Sequence, residues 1–364
     1  MTMQVLESGA ASEWLEILGR VSGWDFYQLP SYHRLAEIRG EGQALLFVYQ
    51  KTGIIVALPL LIRPLNSIAG SRQLSAGLND ATSVYGYSGP LANSNVPDEE
   101  MRHAFQEALR YRLQELGVIT VFSRFHPLVA TSAWLHGLGE IRDSGTTVSL
   151  DLTRPADEQW RLIRSNHRRQ IKKLSLDGFE SYCDTSLEHL DDFVSIYHDT
   201  MRHVGAQPSY FFNKAYFESL LSESKIGMQL FVTRHDGDVV SGGLFSLCRR
   251  IVQYHLGGTR GEYRRFAPMK HLFNTVRLWA TDQGATVFHL GGGVGGRQDS
   301  LFEFKAGFSP VRHTFQTWRW VVDQAAYDQL VAAQDRWNQL HNTVCLDAEF
   351  FPRYRCPATP AEPS

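Results

Sequence analysis

TVFHLGGGVGGRQDSLFEFKAGF, residues 286–308, is the stretch that decides the interpretation of this chain. A short apolar strand leads into a loop with five glycines, and Phe304 and Phe308 then flank a single lysine, Lys305. A lysine held among aromatic rings has a fixed position, which suits an anionic ligand or a developing negative charge. Taken alone, the stretch is explained more simply by a surface lysine beside core phenylalanines.

The composition is that of an ordinary globular protein. The 364 residues exceed the usual size of one hydrophobic core, which predicts two domains. A net charge of −2 provides no global attraction to nucleic acid or membrane, so an anion site would have to be local. The longest uncharged apolar run, Ile54–Ile62, has nine residues. A membrane-spanning helix needs about 20 residues, so we expect no transmembrane segment.

The cysteines and the N-terminus predict a cytoplasmic protein. Cys183, Cys248, Cys345 and Cys356 are scattered without a CxxC pair, so we expect reduced thiols, no disulfide framework and no metal site. The N-terminus carries acidic residues and lacks a basic-then-apolar leader, which predicts no secretion signal.

Helix and strand patterns alternate twice along the chain. The first series has strands at 44–49, 54–62, 118–122 and 146–152, and a helix with apolar residues between 101 and 116. The second has helices at 157–176, 187–203, 215–221 and 269–283, and strands at 228–234, 238–248, 251–256, 286–290 and 315–322. Two mixed series of similar size predict a duplicated α+β (mixed α/β) fold. We place the first domain at 1–150, the second at 151–314, and a closing strand, helix and loose tail at 315–364, packed back on the first domain.

Several common catalytic motifs are missing. The loop Gly291–Gly296 satisfies G-x-G-x-x-G, but a dinucleotide site also needs an acidic residue about 20 positions later. The region around Gln316 supplies none, so we reject that site. The sequence also lacks a P-loop, a G-x-S-x-G nucleophile elbow and an H-E-x-x-H zinc motif.

The predicted helix that starts near Trp160 has one strongly basic side. Apolar residues and His167 share one face, and no acidic residue lies between Glu158 and Asp177. The basic residues are Arg161, Arg164, Arg168, Arg169, Lys172 and Lys173. They form either a solvated face or a surface for a phosphate-bearing partner such as tRNA, a coenzyme or a lipid pyrophosphate. The pattern leaves both interpretations open, and Arg164, Arg168 and Lys172 are the candidate donor or phosphate ligands.

Five stretches, taken together and in order, carry a family resemblance. They are residues 83–90, 197–210, 254–259, 288–292 and 302–308. The set resembles the FemAB-like branch of the GNAT acyltransferase superfamily, which includes the peptidoglycan-bridge aminoacyltransferases. The resemblance implies two tandem GNAT-like domains packed side by side, with a cleft between them for a bulky acceptor. It also implies transfer of an aminoacyl unit from aminoacyl-tRNA to an amine, while similar proteins are described as N-acetyltransferases.

The resemblance also implies roles for individual residues. Lys305, in the Phe-Lys-x-Gly-Phe pattern, is the candidate catalytic residue for charge stabilisation. The candidate substrate ligands are Arg202, Tyr85, Tyr254, His255 and Gly292. Acyl-CoA-dependent members carry a glycine-containing pyrophosphate loop, whereas the corresponding stretch here, residues 261–269, lacks those glycines. That difference argues against coenzyme A as the donor.

The expected partners follow from the same resemblance. We expect no tightly bound cofactor, a donor that is either aminoacyl-tRNA or acyl-CoA, and an amine-bearing acceptor linked to a lipid or a nucleotide. A lipid-linked acceptor would place the protein peripherally at the inner face of the membrane. Two alternatives remain: an acyl-CoA-dependent N-acetyltransferase acting on a sugar or small amine, and a non-catalytic binding module with the same fold.

Overall fold

The computed structural model describes residues 3–66, 68, 70, 74, 76–129 and 131–360. The chain divides into two compact units, which we call unit 1 (Met1–Ser144 with Phe315–Ser364) and unit 2 (Gly145–Thr314). Both combine helices with β-sheet, so the prediction of a mixed α/β fold is confirmed.

Unit 1 contains a large apolar core. Its elements are β1 (Gln4–Glu7), α1 (Ala11–Arg20), α2 (Pro30–Ile38), β2 (Gln43–Lys51), β3 (Ile54–Pro64), β4 (Asn79–Thr82), β5 (Leu91–Ala92), α3 (Glu99–Glu115) and β6 (Val118–Arg124), and after unit 2 α10 (Gln324–Leu340), β14 (Thr343–Cys345) and β15 (Ala358–Pro360). Its strands run β1-β2-β3-β4-β6-β13, where β13 (Arg312–Val321) begins in unit 2. Phe47, Leu58, Phe105, Trp134 and Trp318 are buried in this core.

Unit 2 has a second core and a similar order of elements. These are β7 (Glu140–Asp151, which begins in unit 1), α4 (Ala156–Leu162), α5 (Ser165–Leu176), β8 (Glu180–Cys183), α6 (Leu190–His203), α7 (Lys214–Ser222), β9 (Met228–His235), β10 (Asp238–Cys248), β11 (Ile251–Thr259), α8 (Met269–Asp282), β12 (Val287–Gly291) and α9 (Ser300–Ala306). The strand order is β7-β12-β11-β10-β9-β8. Phe245, Phe273, Val276 and Phe288 lie in its core.

Each unit contains a parallel strand pair joined by a helix. In unit 1, β4 and β6 are parallel and α3 connects them. In unit 2, β11 and β12 are parallel and α8 connects them. Helix α8 forms here because Leu272, Phe273, Val276 and Ala280 recur at helical spacing and are all buried. The alternation seen in the sequence thus corresponds to a repeated strand–helix–strand arrangement.

The C-terminal segment corrects one expectation from the sequence. Cys345 and Cys356 form a disulfide, with Cα atoms 5.7 Å apart, so the prediction of four reduced thiols is wrong for this pair. The reason is the β14–β15 hairpin, which pairs Cys345 with Ala358 and so brings Cys356 close. Cys183 and Cys248 are free thiols.

The segment after α10 is also more ordered than a loose tail. The side chain of Tyr354 is buried, and its hydroxyl oxygen lies 2.6 Å from Oγ1 of Thr120. The last four residues of the predicted tail lie outside the described residues.

The helix predicted at 157–176 is two helices. Helix α4 ends at Leu162 because Ile163 (ψ 133°) and Arg164 (ψ 143°) adopt extended conformations, and α5 begins at Ser165. Every helix among the described residues is too short or too polar to cross a bilayer.

Candidate active site

Lys305 is buried inside unit 2, on the short helix α9. The helix begins where the side chain of Asp299 accepts a hydrogen bond from the backbone N–H of Phe302, 2.9 Å away, as a helix N-cap. Lys305 is 6% exposed, and its Nζ donates a hydrogen bond to the carbonyl oxygen of Gly292 at 2.7 Å. The interpretation of a surface lysine is therefore wrong.

Aromatic rings surround the lysine. Nζ lies 5.3 Å from the ring centroid of Tyr254 on β11, a distance at which a cation is attracted by the ring. The ring of Phe273 lies 4.8 Å from that of Tyr254 and 5.3 Å from each of Phe304 and Phe308. These rings exclude water from the ammonium group and fix its position.

Burial changes the acid–base behaviour of Lys305. Desolvation lowers its pKa to about 7, against a smaller opposite effect of the nearby Asp299 carboxylate. Near neutral pH the group is therefore present in both protonation states. Its charged form can stabilise a developing anion, and burial makes that interaction stronger than it would be in water.

The glycine-rich loop between β12 and α9 is packed too closely for side chains. A Cβ on Gly292 would lie 2.6 Å from the carbonyl oxygen of Thr146, and one on Gly293 would lie 2.1 Å from that of Arg297. The carboxylate of Asp299 also accepts a hydrogen bond from the N–H of Val294 at 2.9 Å. Close packing and the hydrogen bond to Asp299 thus fix the conformation of the loop. The hydrogen bond from Lys305 fixes the carbonyl group of Gly292 within it.

The N-terminus of α5 packs on the C-terminus of α9. The N–H of Arg164 donates to the carbonyl oxygen of Gly307 at 2.8 Å, and Nε2 of His167 lies 3.0 Å from the carbonyl oxygen of Phe304. The carbonyl is an acceptor, so Nε2 carries the proton. Burial, with Lys270 and Arg164 nearby, lowers the pKa of His167 to about 4. His167 is thus a neutral packing residue that positions α9.

A cavity of about 410 Å³ lies in unit 2 beside α9 and the glycine-rich loop. Its lining residues are Thr146, Arg164, Gln298, Phe302, Glu303, Arg312, His313 and Thr314. Nη1 of Arg164 lies 2.9 Å from a carboxylate oxygen of Glu303. Lys305 itself does not line this cavity, but its helix contributes Phe302 and Glu303.

A row of polar side chains crosses the sheet of unit 2 and ends at this cavity. Gln253, His289 and Ser149 are register partners on the adjacent strands β11, β12 and β7. Nδ1 of His289 lies 2.6 Å from Oε1 of Gln253, and Oγ of Ser149 lies 2.7 Å from Nε2 of His313. The first three are buried, and such buried polar groups are usually satisfied by one another in this way.

The structure brings only some of the predicted site residues together. Tyr254 and Gly292 contact Lys305, and Arg164 lines the cavity. Burial raises the pKa of Tyr254, so its hydroxyl stays neutral. Arg168 and Lys172 lie on α5, where Nη1 of Arg168 donates to the carbonyl oxygen of Arg161 at 3.1 Å.

Three other predicted substrate ligands have different surroundings. His255 is buried at an irregularity in the β10–β11 register, and its Nε2 lies 3.5 Å from the hydroxyl of Tyr216 on α7. Arg202 is exposed at the end of α6 and pairs with Asp199 of the same helix. Tyr85 belongs to unit 1, where its carbonyl oxygen accepts a hydrogen bond from the hydroxyl of Tyr32 at 3.0 Å.

The sequence interpretation missed Arg312, His313 and the polar row. A weak signal was present, since His289 and Gln253 interrupt otherwise apolar buried strands. The register that aligns them depends on pairings between distant segments, so the sequence alone could not align them. Within the described residues, no cluster of three or more His, Cys, Asp or Glu side chains could hold a metal ion.

Comparisons with known proteins identify a matching domain family and similar folds. Residues 161–305 match the acetyltransferase (GNAT) domain family, and no curated protein matches the sequence. The structure of FemX is similar with a TM-score of 0.67 and 14% identity, over 90% of this chain and 99% of that chain. The C-terminal domain of a predicted lysylphosphatidylglycerol synthetase from Agrobacterium fabrum is similar with a TM-score of 0.52 and 15% identity, over 91% of this chain and 96% of that chain.

A third structure, L-PGS from Bacillus licheniformis, has a TM-score of 0.52 and 14% identity, over 84% of this chain and 91% of that chain. Identities this low show a common fold. The chemistry rests on the family match, which spans α5, β11, α8, β12 and the segment that ends at Lys305. Residues 161–305 match a GNAT acetyltransferase domain, and this match identifies the chain as an acyltransferase.

Proposed function

We propose that the protein forms an amide bond by transferring an aminoacyl or acyl group from an activated donor to an amine acceptor. The observation that carries this proposal is the buried ammonium of Lys305, fixed by Gly292 and Tyr254 at the end of the GNAT domain. An activated ester or thioester already stores the driving force. The enzyme then mainly has to align the partners and stabilise the charge that develops.

In the proposed reaction the acceptor nitrogen attacks the acyl carbon, and the carbonyl oxygen becomes an oxyanion. The bond to the leaving oxygen or sulfur then breaks while the nitrogen loses a proton. We assign to Lys305 the stabilisation of the oxyanion or the leaving group, which requires its charged form. Tyr254 and Gly292 hold the ammonium in place for this step.

We propose aminoacyl-tRNA as the donor. The segment between β11 and α8 does not form a glycine loop, and Ala267 there has a left-handed conformation (φ 53°). The N–H groups of Lys270, His271 and Leu272 already donate to the carbonyls of Ala267 and Pro268, so they are not directed at a pyrophosphate. The basic helix α5 is linked to the same segment by a hydrogen bond from Gln170 to Phe266, at 3.0 Å.

The basic face of α5 is the proposed contact for the donor's phosphates. We assign this contact to Arg168 and Lys172, because Arg164 lines the unit 2 cavity; Lys172 is exposed. Phosphate contacts of this kind make binding steeply dependent on salt. The acceptor in this proposal is an amine on a lipid or nucleotide carrier, met at the inner face of the membrane. The names of the lysylphosphatidylglycerol synthetase and L-PGS structures are consistent with such chemistry, the first describing an aminoacylated lipid.

Acyl-CoA as donor is the second candidate, and the match to a GNAT acetyltransferase domain is what favours it. Under this alternative the acceptor is a sugar or small amine. The missing glycine loop argues against it. A non-catalytic binding module is the third interpretation, in which Lys305 could be replaced without loss of ligand affinity.

Calorimetric titrations separate the two donors. We expect an uncharged tRNA mixture to bind the wild type with an affinity that falls steeply between low and moderate salt, while acetyl-CoA gives no micromolar binding. The double variant Arg168→Gln, Lys172→Gln should weaken tRNA binding and flatten its salt dependence. Micromolar binding of acetyl-CoA, together with tRNA binding that the double variant does not change, would instead establish the second candidate.

A further inference from the structure

The charged residues around the unit 2 cavity are unevenly balanced. Two arginines, Arg164 and Arg312, face one glutamate, Glu303. The other polar lining residues are Thr146, Gln298, His313 and Thr314. Phe302 provides an apolar wall. A volume of about 410 Å³ is within the range of small-molecule sites, which combine an apolar surface with a few directed polar groups.

Arg312 is a fixed cation at this cavity. Its Nη1 donates to the carbonyl oxygens of Ser309 at 2.6 Å and Val311 at 3.0 Å, and its Nη2 lies 3.5 Å from that of Ala306. These carbonyls orient the guanidinium but do not neutralise its charge. The guanidinium carbon also lies 5.6 Å from the ring centroid of Phe302. With Nη1 bonded to two carbonyls, the other edge of the guanidinium, Nε with Nη2, is the one that matches the two oxygens of a carboxylate or a phosphate.

Arg164 is the second cation, and the ion pair of its guanidinium with Glu303 can be broken at a small cost in free energy. Its side chain is paired with Glu303, but both side chains are largely exposed, at 48% and 58%. Exposed pairs of this kind contribute little to stability, so an incoming anion can take over the guanidinium. The backbone of Arg164 is fixed independently by its hydrogen bond to Gly307.

We propose that this cavity binds an anionic oxygen group, a carboxylate or a phosphate, of the amine-bearing acceptor, with Arg312 as the principal ligand and Arg164 as the second. This proposal rests on the proposed function, since it assigns the bound molecule to the acceptor of that reaction. The glycine-rich loop connects the two places. Gly292 accepts the hydrogen bond of Lys305 on one side and packs against Thr146 of the cavity on the other.

The test uses two probes on the full-length protein, inorganic phosphate and N-acetylglycine, titrated calorimetrically at constant ionic strength with chloride as the balancing salt. At least one probe should bind the wild type. Arg312→Gln should weaken that binding at least about tenfold, the usual effect of losing a charge-assisted hydrogen bond. Binding of phosphate alone identifies a phosphate group on the acceptor, and binding of N-acetylglycine alone identifies a carboxylate.

Two further variants make the result decisive. Arg164→Gln alters an exposed side chain, so it tests the cavity even where Arg312→Gln fails to fold. The matched control is Arg161→Gln, because Arg161 is also exposed, also pairs with a carboxylate (Asp157, 2.6 Å) and does not line the cavity. The proposal is overturned if neither probe binds the wild type. It is also overturned if the wild type, Arg312→Gln and Arg164→Gln bind a probe with equal affinity.

The proposed function is tested separately by Lys305→Met. This variant should keep the probe affinity and lose acyl transfer. Suppose that Lys305→Met loses acyl transfer but neither probe binds the wild type. The cavity is then rejected as the acceptor site, and the proposed function is retained. Probe binding that depends on Arg312, combined with full transfer by Lys305→Met, would keep the cavity and reject the role of Lys305.

Discussion

The position of α9 depends on the absence of a side chain at Gly307. Its backbone angles (φ −70°, ψ −17°) suit any residue, yet a Cβ there would lie 2.2 Å from Nε2 of His167. The side chain is therefore excluded by the imidazole and not by backbone strain. The sequence showed Gly307 only as part of a motif, because its partner lies 140 positions earlier in the chain.

We predict that Gly307→Ala destabilises unit 2 by about 1–3 kcal/mol, the usual cost of overpacking. In a His167→Ala background the added methyl group meets no ring, so the same substitution should cost clearly less. Urea unfolding of the wild type, both single variants and the double variant measures this coupling. Strictly additive effects would show that the imidazole is not what excludes the side chain.

Lys305 predicts a pH dependence with a definite sign. Burial lowers its pKa to about 7, and the proposed role needs the charged form. The charged fraction of Lys305 falls above about pH 7, so kcat/KM should stop rising there although the acceptor amine continues to deprotonate. In Lys305→Arg the rise should continue above pH 7, because a guanidinium stays protonated throughout this range. A wild-type profile that keeps rising to pH 9 would contradict the assignment.

At the level of elements, the sequence predicted most strands of the sheets well. Strand β10 was predicted with the observed bounds, Asp238–Cys248, because a turn at His235–Gly237 and the apolar pattern both mark it. Helix α9 was not predicted, since seven residues carry too little periodicity. The break between α4 and α5 was also missed, because Ile163 fits the apolar stripe while its backbone is extended.

The sequence analysis did not predict the β14–β15 hairpin. The contribution of its disulfide to the free energy of unfolding can be tested. Closing the short loop between Cys345 and Cys356 should stabilise the folded state by about 2–3 kcal/mol on the chain-entropy estimate. We therefore expect dithiothreitol to lower the free energy of unfolding of the wild type by that amount. The double variant Cys345→Ser, Cys356→Ser should start at the lower value and not respond. Equal stability with and without reductant would mean that the two thiols are not joined.

At the scale of the molecule, the mixed α/β class followed from the sequence because each unit repeats its own strand–helix–strand pattern. The length of the chain exceeds that of one usual core, and each unit contains a large buried apolar cluster of its own. The disulfide and the register that aligns Gln253 with His289 could not be predicted, since both depend on contacts between segments that the sequence does not align. The arginine-lined cavity escaped prediction for the same reason.

Each unit also contains a buried histidine that resists protonation. Burial lowers the pKa of His33 in unit 1 and of His167 in unit 2 to about 4, from an ordinary value of 6.5. As pH falls from 6.5 to 4, the unfolded chain takes up these protons and the folded chain does not. The free energy of unfolding should therefore fall over this range, by up to about 1.4 kcal/mol per pH unit for each histidine.

Urea unfolding at pH 7, 6 and 5 checks this prediction. His33→Gln should flatten the decline, whereas the control His103→Gln, an exposed position on α3, should leave its slope unchanged. Equal slopes for the wild type and His33→Gln would show that His33 is not protonation-resistant.

The most direct test of the central claim is whether Lys305 is needed for amide formation. Total tRNA charged with ¹⁴C-labelled amino acids, or ¹⁴C-acetyl-CoA, is incubated with the protein and a panel of amine acceptors, and label that survives mild alkali is counted. Esters and thioesters are hydrolysed under these conditions, whereas amides persist. The account predicts base-stable label with the wild type and the exposed control Lys225→Met, and a loss of about 10²–10³-fold with Lys305→Met. Base-stable label formed equally well by Lys305→Met would contradict it.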